Sequence, residues 1–194
     1  MTAPDLRTRL VEAGVALLGA EGPDALTLRS IARHAGVSHG APRRHFPTHR
    51  ELLSAIARKG FDDLAAAVGL ALRDGGTPRA RLAALATAYV EFARAEPGMF
   101  ALMFRHDLLA SGTLGLRERS LPLFGVLEEA VAQNAPDAAR DPGVTAAALW
   151  ANLHGIAQLW SWGSLQLATE LDDVAPLVAA ALDAHLGPAD GAGW

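Results

Sequence analysis

The stretch Thr27-Leu-Arg-Ser-Ile-Ala-Arg-His-Ala-Gly-Val-Ser-His-Gly-Ala-Pro-Arg-Arg-His-Phe-Pro-Thr-His-Arg-Glu-Leu-Leu53 decides how this chain is read. Thr27 offers a side-chain oxygen to cap a short helix whose buried side is expected to be Leu28, Ile31, Ala32 and Ala35. Gly36 stops that helix, because the tight reversal needs a left-handed backbone that glycine adopts without steric cost. Ser38 is expected to cap a third helix running to about Phe46. Two short helices joined through Ala35-Gly36-Val37-Ser38, with Val37 plugging the angle between them, have the proportions of a helix-turn-helix. Along His39-Gly40-Ala41-Pro42-Arg43-Arg44-His45-Phe46, small residues come first and large cationic or polar ones follow. Small side chains allow close approach to a duplex, and the arginines reach base edges or phosphates. Pro42 forfeits an early backbone bond, so this helix is expected to start tighter or later than usual.

A glycine turn between helices is common, so the neighbouring sequence matters. Upstream, Leu6, Leu10, Ala13, Gly14 and Leu17 recur at spacings of three and four, which predicts a first helix from Asp5 to Ala20, ended by Glu21-Gly22-Pro23-Asp24. Downstream, Thr48 caps a longer helix through Leu52, Leu53, Ile56, Phe61, Leu64 and Val68 up to Gly75-Gly76. Further helices are bounded by Pro78, Glu96-Pro97-Gly98, Ser111-Gly112, Ala135-Pro136 and Asp141-Pro142, and the last runs from Val174 to Leu186. Alanine and leucine dominate and period-two β-branched runs are absent, so the fold class is all-α. The expected organisation is a helix-turn-helix domain at 1–47, a connecting helix at 48–74, a C-terminal domain at 75–186 and a loose Gly- and Pro-containing tail at 187–194.

Composition limits the function classes. The 194 residues are 51% apolar and 20% charged with no cysteine, which places the chain among soluble globular proteins and excludes disulfide scaffolds and thiolate metal sites. Asp5, Arg7, Arg9 and Glu12 interrupt the first twenty residues, so no secretory signal is expected and a cytoplasmic address is the default. Residues 1–60 carry nine basic side chains against five acidic, and the remainder eight against sixteen, as in a small polyanion-binding unit joined to an acidic body. Val144 to Thr169 contains no Asp, Glu, Lys or Arg, yet it carries Asn152, His154, Gln158, Ser161 and Gln166. It is therefore expected in a core or a subunit interface rather than a membrane. There is no Gly-rich phosphate loop, no G-x-S-x-G elbow and no H-E-x-x-H, and Pro47 interrupts any helix joining His45 to His49, so neither enzyme, cofactor nor metal is expected.

The stretch from Thr27 to Leu53 resembles the DNA-binding signature of TetR-family transcriptional regulators, and with the first helix the likeness covers about Leu6 to Leu53. Trp150-Ala-Asn-Leu-His154-Gly155 is similar to the core of the WHG-type C-terminal domain. The resemblance implies a homodimer with a three-helix reader and a body that binds a small molecule. It implies double-stranded DNA with a palindromic operator as partner, and repression released by a small hydrophobic ligand. Carried over, Thr27 and Arg29 lie near the phosphate backbone, Ser38, His39, Ala41, Arg43, Arg44 and His45 form the recognition element, and Phe46 is core. The family often has tyrosine where Arg43 stands and lysine where His49 stands, both used on phosphates. Arginine replaces the first as a longer donor; His49 is a poorer cation at neutral pH, for which Arg50 is expected to compensate.

In the body, Met99, Phe100, Met103 and Phe104 with Tyr89 and Phe92 form one candidate ligand cluster, and Trp150, His154 and Gln158, beside Trp160 and Trp162, form another. Such stripes are more often core, and for His154 the structural role is preferred. Leu149, Leu153, Ile156, Trp160 and Leu167, with Val174, Leu177, Val178, Ala181 and Leu182, are expected to form a four-helix bundle between subunits. Two copies would then hold their recognition helices about 34–36 Å apart, the spacing of successive major grooves. A regulator without a small-molecule ligand, and a helical-bundle enzyme with an incidental turn, stand as alternatives.

Overall fold

A computed structural model describes residues 5–110, 115–134 and 141–189; it is helical, with no strand among the described residues. Helix α1 (Leu6–Glu21) is capped by Asp5, whose carboxylate accepts the Thr8 N–H at 2.7 Å and is held below its ordinary pKa chiefly by that bond. After a single 3-10 turn (Pro23–Ala25), α2 (Leu28–His34) opens with a reciprocal cap. The Ser30 N–H reaches Thr27 Oγ1 at 3.1 Å and the Thr27 N–H reaches Ser30 Oγ at 3.0 Å. Gly36 takes φ +68°, as the turn requires, and the Val37 N–H closes the end of α2 on the Ala32 carbonyl at 3.0 Å.

Ser38 does not cap the next helix. Helix α3 (Ala41–His45) begins three residues later, its N-cap position is held by Gly40 without a side-chain bond, and the Ser38 carbonyl instead accepts the Ala41 N–H at 3.0 Å. The cause is Pro42, which stands in the first helical turn, where its missing N–H would have had no intrahelical partner anyway. Helix α4 (His49–Ala71) is capped by Thr48, which accepts the Glu51 N–H at 3.1 Å. Then follow α5 (Pro78–Ala95), α6 (Pro97–Met103), α7 (His106–Ala110), α8 (Leu116–Ala132), α9 (Pro142–Ser161), α10 (Ser164–Thr169) and α11 (Ala175–Leu186). The boundaries expected at Ser111-Gly112 and Ala135-Pro136, and tail residues 190–194, lie outside the described residues. The charge-free run from Val144 to Thr169 is two helices rather than one, broken at Gly163 with φ +74°.

Packing divides the chain into two units, Met1–Asp63 with Glu96–Ser120, and Leu64–Ala95 with Leu121–Trp194. Residues 96–120 therefore pack with the N-terminal segment, not with the C-terminal body to which the sequence reading allotted them. Divided this way, the first unit holds twelve basic and ten acidic residues and the second five and eleven. The first unit buries Leu10, Leu17, Ile31, Phe46, Leu52, Ile56, Phe100 and Leu108. Two glycines allow its helices to touch. A Cβ at Gly14 would overlap the Ile56 side chain, and one at Gly60 would lie 2.6 Å from Met103 Sδ. The second unit packs α5 on α9 and α11 over Leu82, Ala86, Val90, Leu149, Leu153, Ala157, Val178 and Leu182.

That core overturns most of the expected subunit contacts. Leu149, Leu153, Trp160, Val174, Val178, Ala181 and Leu182 are buried inside the protomer, so they have no surface left for a partner. Ile156 and Leu177 are half-buried, and Leu167 alone of that set is strongly exposed, at 88%. The apolar stripe with the larger side chains serves the chain's own core, and the smaller-residue side of α9 faces solvent.

Candidate nucleic-acid interface

The reader is assembled around one buried side. Pro42 and Phe46, one helical turn apart, are both buried, and this fixes the rotation of α3 against the rest of its unit. Arg43, Arg44 and His45 are consequently exposed together, beside the exposed Ser38 and His39, while Ala41 is half-buried. A helix of five residues is too short to hold itself, so the outward aim of these side chains comes from tertiary packing. Arg29 is exposed on the first turn of α2, and Arg50 is exposed on the first turn of α4.

Two of the expected phosphate contacts are engaged within the protein. Thr27 Oγ1 is taken up in the α2 cap and lies 2.8 Å from Ser30 Oγ. His49 Nε2 lies 2.5 Å from the Leu26 carbonyl, to which a protonated ring nitrogen donates, so this imidazole fastens the start of α4 to the turn before α2. A lysine ammonium at that position would be a mobile point charge; the histidine acts here as a brace. Sequence reading also passed over two arginines that build the reader. Arg9 donates to the Ala35 carbonyl at 2.8 Å, tying α1 to the end of α2, and the Arg7 guanidinium stands 4.9 Å from the Phe46 ring centre. Pro42 was legible as a disruption but not as a core residue, although its spacing of four from Phe46 is the pattern that reveals it.

The two expected ligand clusters are separated differently from the sequence reading. Met99, Phe100 and Met103 are buried and Phe104 half-buried in the first unit, where the Phe104 ring lies 5.6 Å edge-on to Phe61 and 4.9 Å from Phe100. Tyr89 and Phe92 belong to the second unit, so the six residues do not line one site within either unit. There, Tyr89, Trp150 and His154 form a chain of hydrogen bonds. Trp150 Nε1 donates to the Tyr89 oxygen at 3.1 Å, and the Tyr89 hydroxyl is 2.8 Å from His154 Nδ1. Burial raises the Tyr89 phenol above its ordinary pKa and lowers that of His154, so the imidazole is neutral near pH 7. Trp150 also stands edge-on to Phe124 at 6.2 Å, and Gln158 is half-buried further along α9. A groove of about 390 Å³ opens elsewhere, in the first unit, along Arg7, Val11, Val15 and Lys59, and no residue of either expected cluster lines it. Among the described residues, no helix is long and apolar enough to cross a membrane.

With this geometry in view, the relatives are informative. Residues 10–56 match the family described as "Bacterial regulatory proteins, tetR family", and residues 82–184 match "Tetracyclin repressor-like, C-terminal domain". A solved protein of unknown function from Rhodococcus sp. RHA1 superposes with a TM-score of 0.80 at 33% identity over 95% of each chain. The multidrug binding protein EbrR, solved with ethidium, shares the fold with a TM-score of 0.67 at 23% identity, over 94% of this chain and 99% of that one. The nucleoid occlusion factor SlmA of Marinomonas sp. (strain MWYL1) is 27% identical over 129 residues, 66% of this chain, and the chain spans 65% of that relative's length. The exposed cationic turn-and-helix, the all-α architecture and the two family matches agree: this chain belongs to the TetR family of DNA-binding transcriptional regulators.

Proposed function

We propose that two copies of this chain bind a palindromic operator and repress transcription until a small hydrophobic ligand releases them. The observation that carries the DNA half is the sidedness of α3: Pro42 and Phe46 inward, Arg43, Arg44 and His45 outward. Arg43 and Arg44 reach base edges or phosphates, His39 and His45 flank them, and Arg29 and Arg50 contact the backbone on either side. Thr27 and His49 contribute by setting the helix starts that present these cations. The experiment is a titration of fluorescent duplex with Arg43→Ala/Arg44→Ala. Affinity is expected to fall at least tenfold, with the slope of log affinity against log salt shallower by about 1–2. Unchanged binding would refute the assignment.

Support for the ligand half comes from the EbrR likeness, since that protein was solved with ethidium. Within this chain the second unit supplies Tyr89, Trp150, His154, Phe92 and Gln158 as the residues a small aromatic or apolar molecule would meet. The rival reading, a regulator without a ligand, draws on a specific feature: Tyr89, Trp150 and His154 already satisfy one another. Ethidium separates the two. A rise in melting temperature with ethidium that is lost in Trp150→Ala supports a ligand site in the second unit; no shift favours the rival.

A further inference from the structure

Helix α1 carries two apolar rows. Leu10, Gly14 and Leu17 face the core, and Val11 and Val15, both half-buried, lie beside them on the wall of the groove of about 390 Å³ in the first unit. That volume is in the range of small-molecule sites. Arg7 stands one helical turn before Val11 and also lines the groove, as do Glu12, Ala16 and, from α4, Lys59. Three glycine contacts say where Lys59 enters. A Cβ at Gly14 would meet Ile56, one at Gly98 would meet Leu18, and one at Gly60 would meet Met99, the residue after Gly98. Leu18 and Gly60 are thus at one level, and α1 and α4 run side by side in the same sense. Lys59 therefore belongs to the end of the groove at Val15 and Ala16, opposite Arg7.

The two cations are not equally available. Lys59 is paired with Asp63, so its end of the groove presents chiefly an aliphatic stem. Among the described residues, Arg7 has no carboxylate partner and donates no hydrogen bond; its guanidinium stands 4.9 Å from the Phe46 ring centre. A guanidinium lying over a ring keeps its N–H groups in its own plane, free to take a carboxylate through two parallel bonds. Between the ends runs an apolar wall. Arg7 and Val15 are about 12 Å apart along the helix at 1.5 Å per residue, the reach of an extended chain of about ten carbons. Glu12, exposed on the rim, opposes any second anionic group along that chain.

We propose that this groove binds an apolar monocarboxylate, its head on Arg7 and its tail along Val11, Val15 and Ala16, and that the bound anion weakens the grip of the reader on DNA. Coupling follows from the place of Arg7. It stands over Phe46, the residue buried behind Arg43, Arg44 and His45, so a carboxylate there neutralises a cation beside the reader and sets a negative charge near the approaching phosphates. The coupling rests on the DNA reading in the proposed function, whereas the binding does not. The site is also separate from Tyr89, Trp150 and His154, which belong to the second unit.

Decanoate is the probe, titrated calorimetrically into the full chain below its micelle-forming concentration. One equivalent per chain is expected to bind. Hexanoate, four methylenes shorter, is expected to bind more than tenfold more weakly, and decylammonium not to bind. Val15→Glu is expected to abolish decanoate binding with helicity intact. Glu12→Gln, an exposed change, is expected to tighten it about threefold, a gain that damage to the fold does not produce. With fluorescent duplex, decanoate is expected to lower the affinity of the parent about fivefold and to leave that of Val15→Glu where it was without decanoate. No binding to the folded parent, or equal binding of decylammonium, overturns the proposal. Decanoate that binds Val15→Glu and Glu12→Gln as it binds the parent lies elsewhere, which overturns the groove. Loss in Val15→Glu with no effect of decanoate on the parent's duplex affinity overturns the coupling and upholds the site. A chain that binds decanoate in this pattern but no duplex refutes the reader and not the groove.

Discussion

The two units of this protein handle polar side chains in opposite ways. In the first, Arg43, Arg44 and His45 face outward while Pro42 and Phe46 fill the core behind them. In the second, Trp150 and His154, one helical turn apart on α9, point at a partner within the unit and share the Tyr89 hydroxyl. Both motifs are short clusters of aromatic and basic residues, and composition does not distinguish them. What separates them is whether the polar atoms have partners inside. A satisfied buried network orders a core, whereas an exposed cationic row is available to a polyanion.

Four changes test this contrast, beginning with the strongest. Gly14→Leu forces a side chain into the space of Ile56 and is expected to cost about 1–3 kcal/mol in urea unfolding. Because α1 supports the reader, duplex affinity should fall with it; a variant as stable as the parent would mean that the first unit's core is loosely packed. Tyr89→Phe removes the shared hydroxyl of the second unit and is expected to cost about 1–2 kcal/mol while leaving duplex affinity unchanged. Full stability in that variant would show that the hydrogen-bond chain is not structural. Ser54 works in the other direction. Its hydroxyl is fully buried in α4 and makes no hydrogen bond, so Ser54→Ala is expected to raise stability by about 1 kcal/mol. A loss of stability would reveal a bond that forms in solution.

The smallest effect is a pH dependence. Burial lowers the folded-state pKa of His154, so below about 6.5, its ordinary value, the unfolded chain takes up a proton that the folded chain refuses. The contribution is level above that pH and is lost as pH falls below it. Comparing the parent with His154→Gln between pH 7.5 and 5.5 isolates it, and the parent is expected to lose more stability on acidification. Equal losses would place the imidazole in water.

Much of the fold was legible because helix ends are local. Thr27 and Thr48 cap helices where their side chains were expected to, and Gly36 takes the left-handed turn. Longer-range matters were not. α9 is apolar on nearly every side, so periodicity alone assigns the larger residues to a subunit face, whereas they form the protomer's own core. Nothing local revealed that Met99 and Met103 close on Gly60, since that contact joins segments some forty residues apart. The Ser38 cap failed because a proline four residues later moved the helix start, and the same proline proved to be the residue on which the reader turns.

That last point has a consequence for how such a protein changes over generations. The outward aim of Arg43, Arg44 and His45 depends on Pro42 and Phe46, which are buried on the other side of the helix, so the exposed letters are free to vary while the presenting surface stays put. Under the proposed function, a lineage would retarget itself by exchanging Arg43 or Arg44 alone, without having to solve the folding problem again. Drift at Pro42, by contrast, would alter every contact at once, which makes it the position where selection should be most conservative.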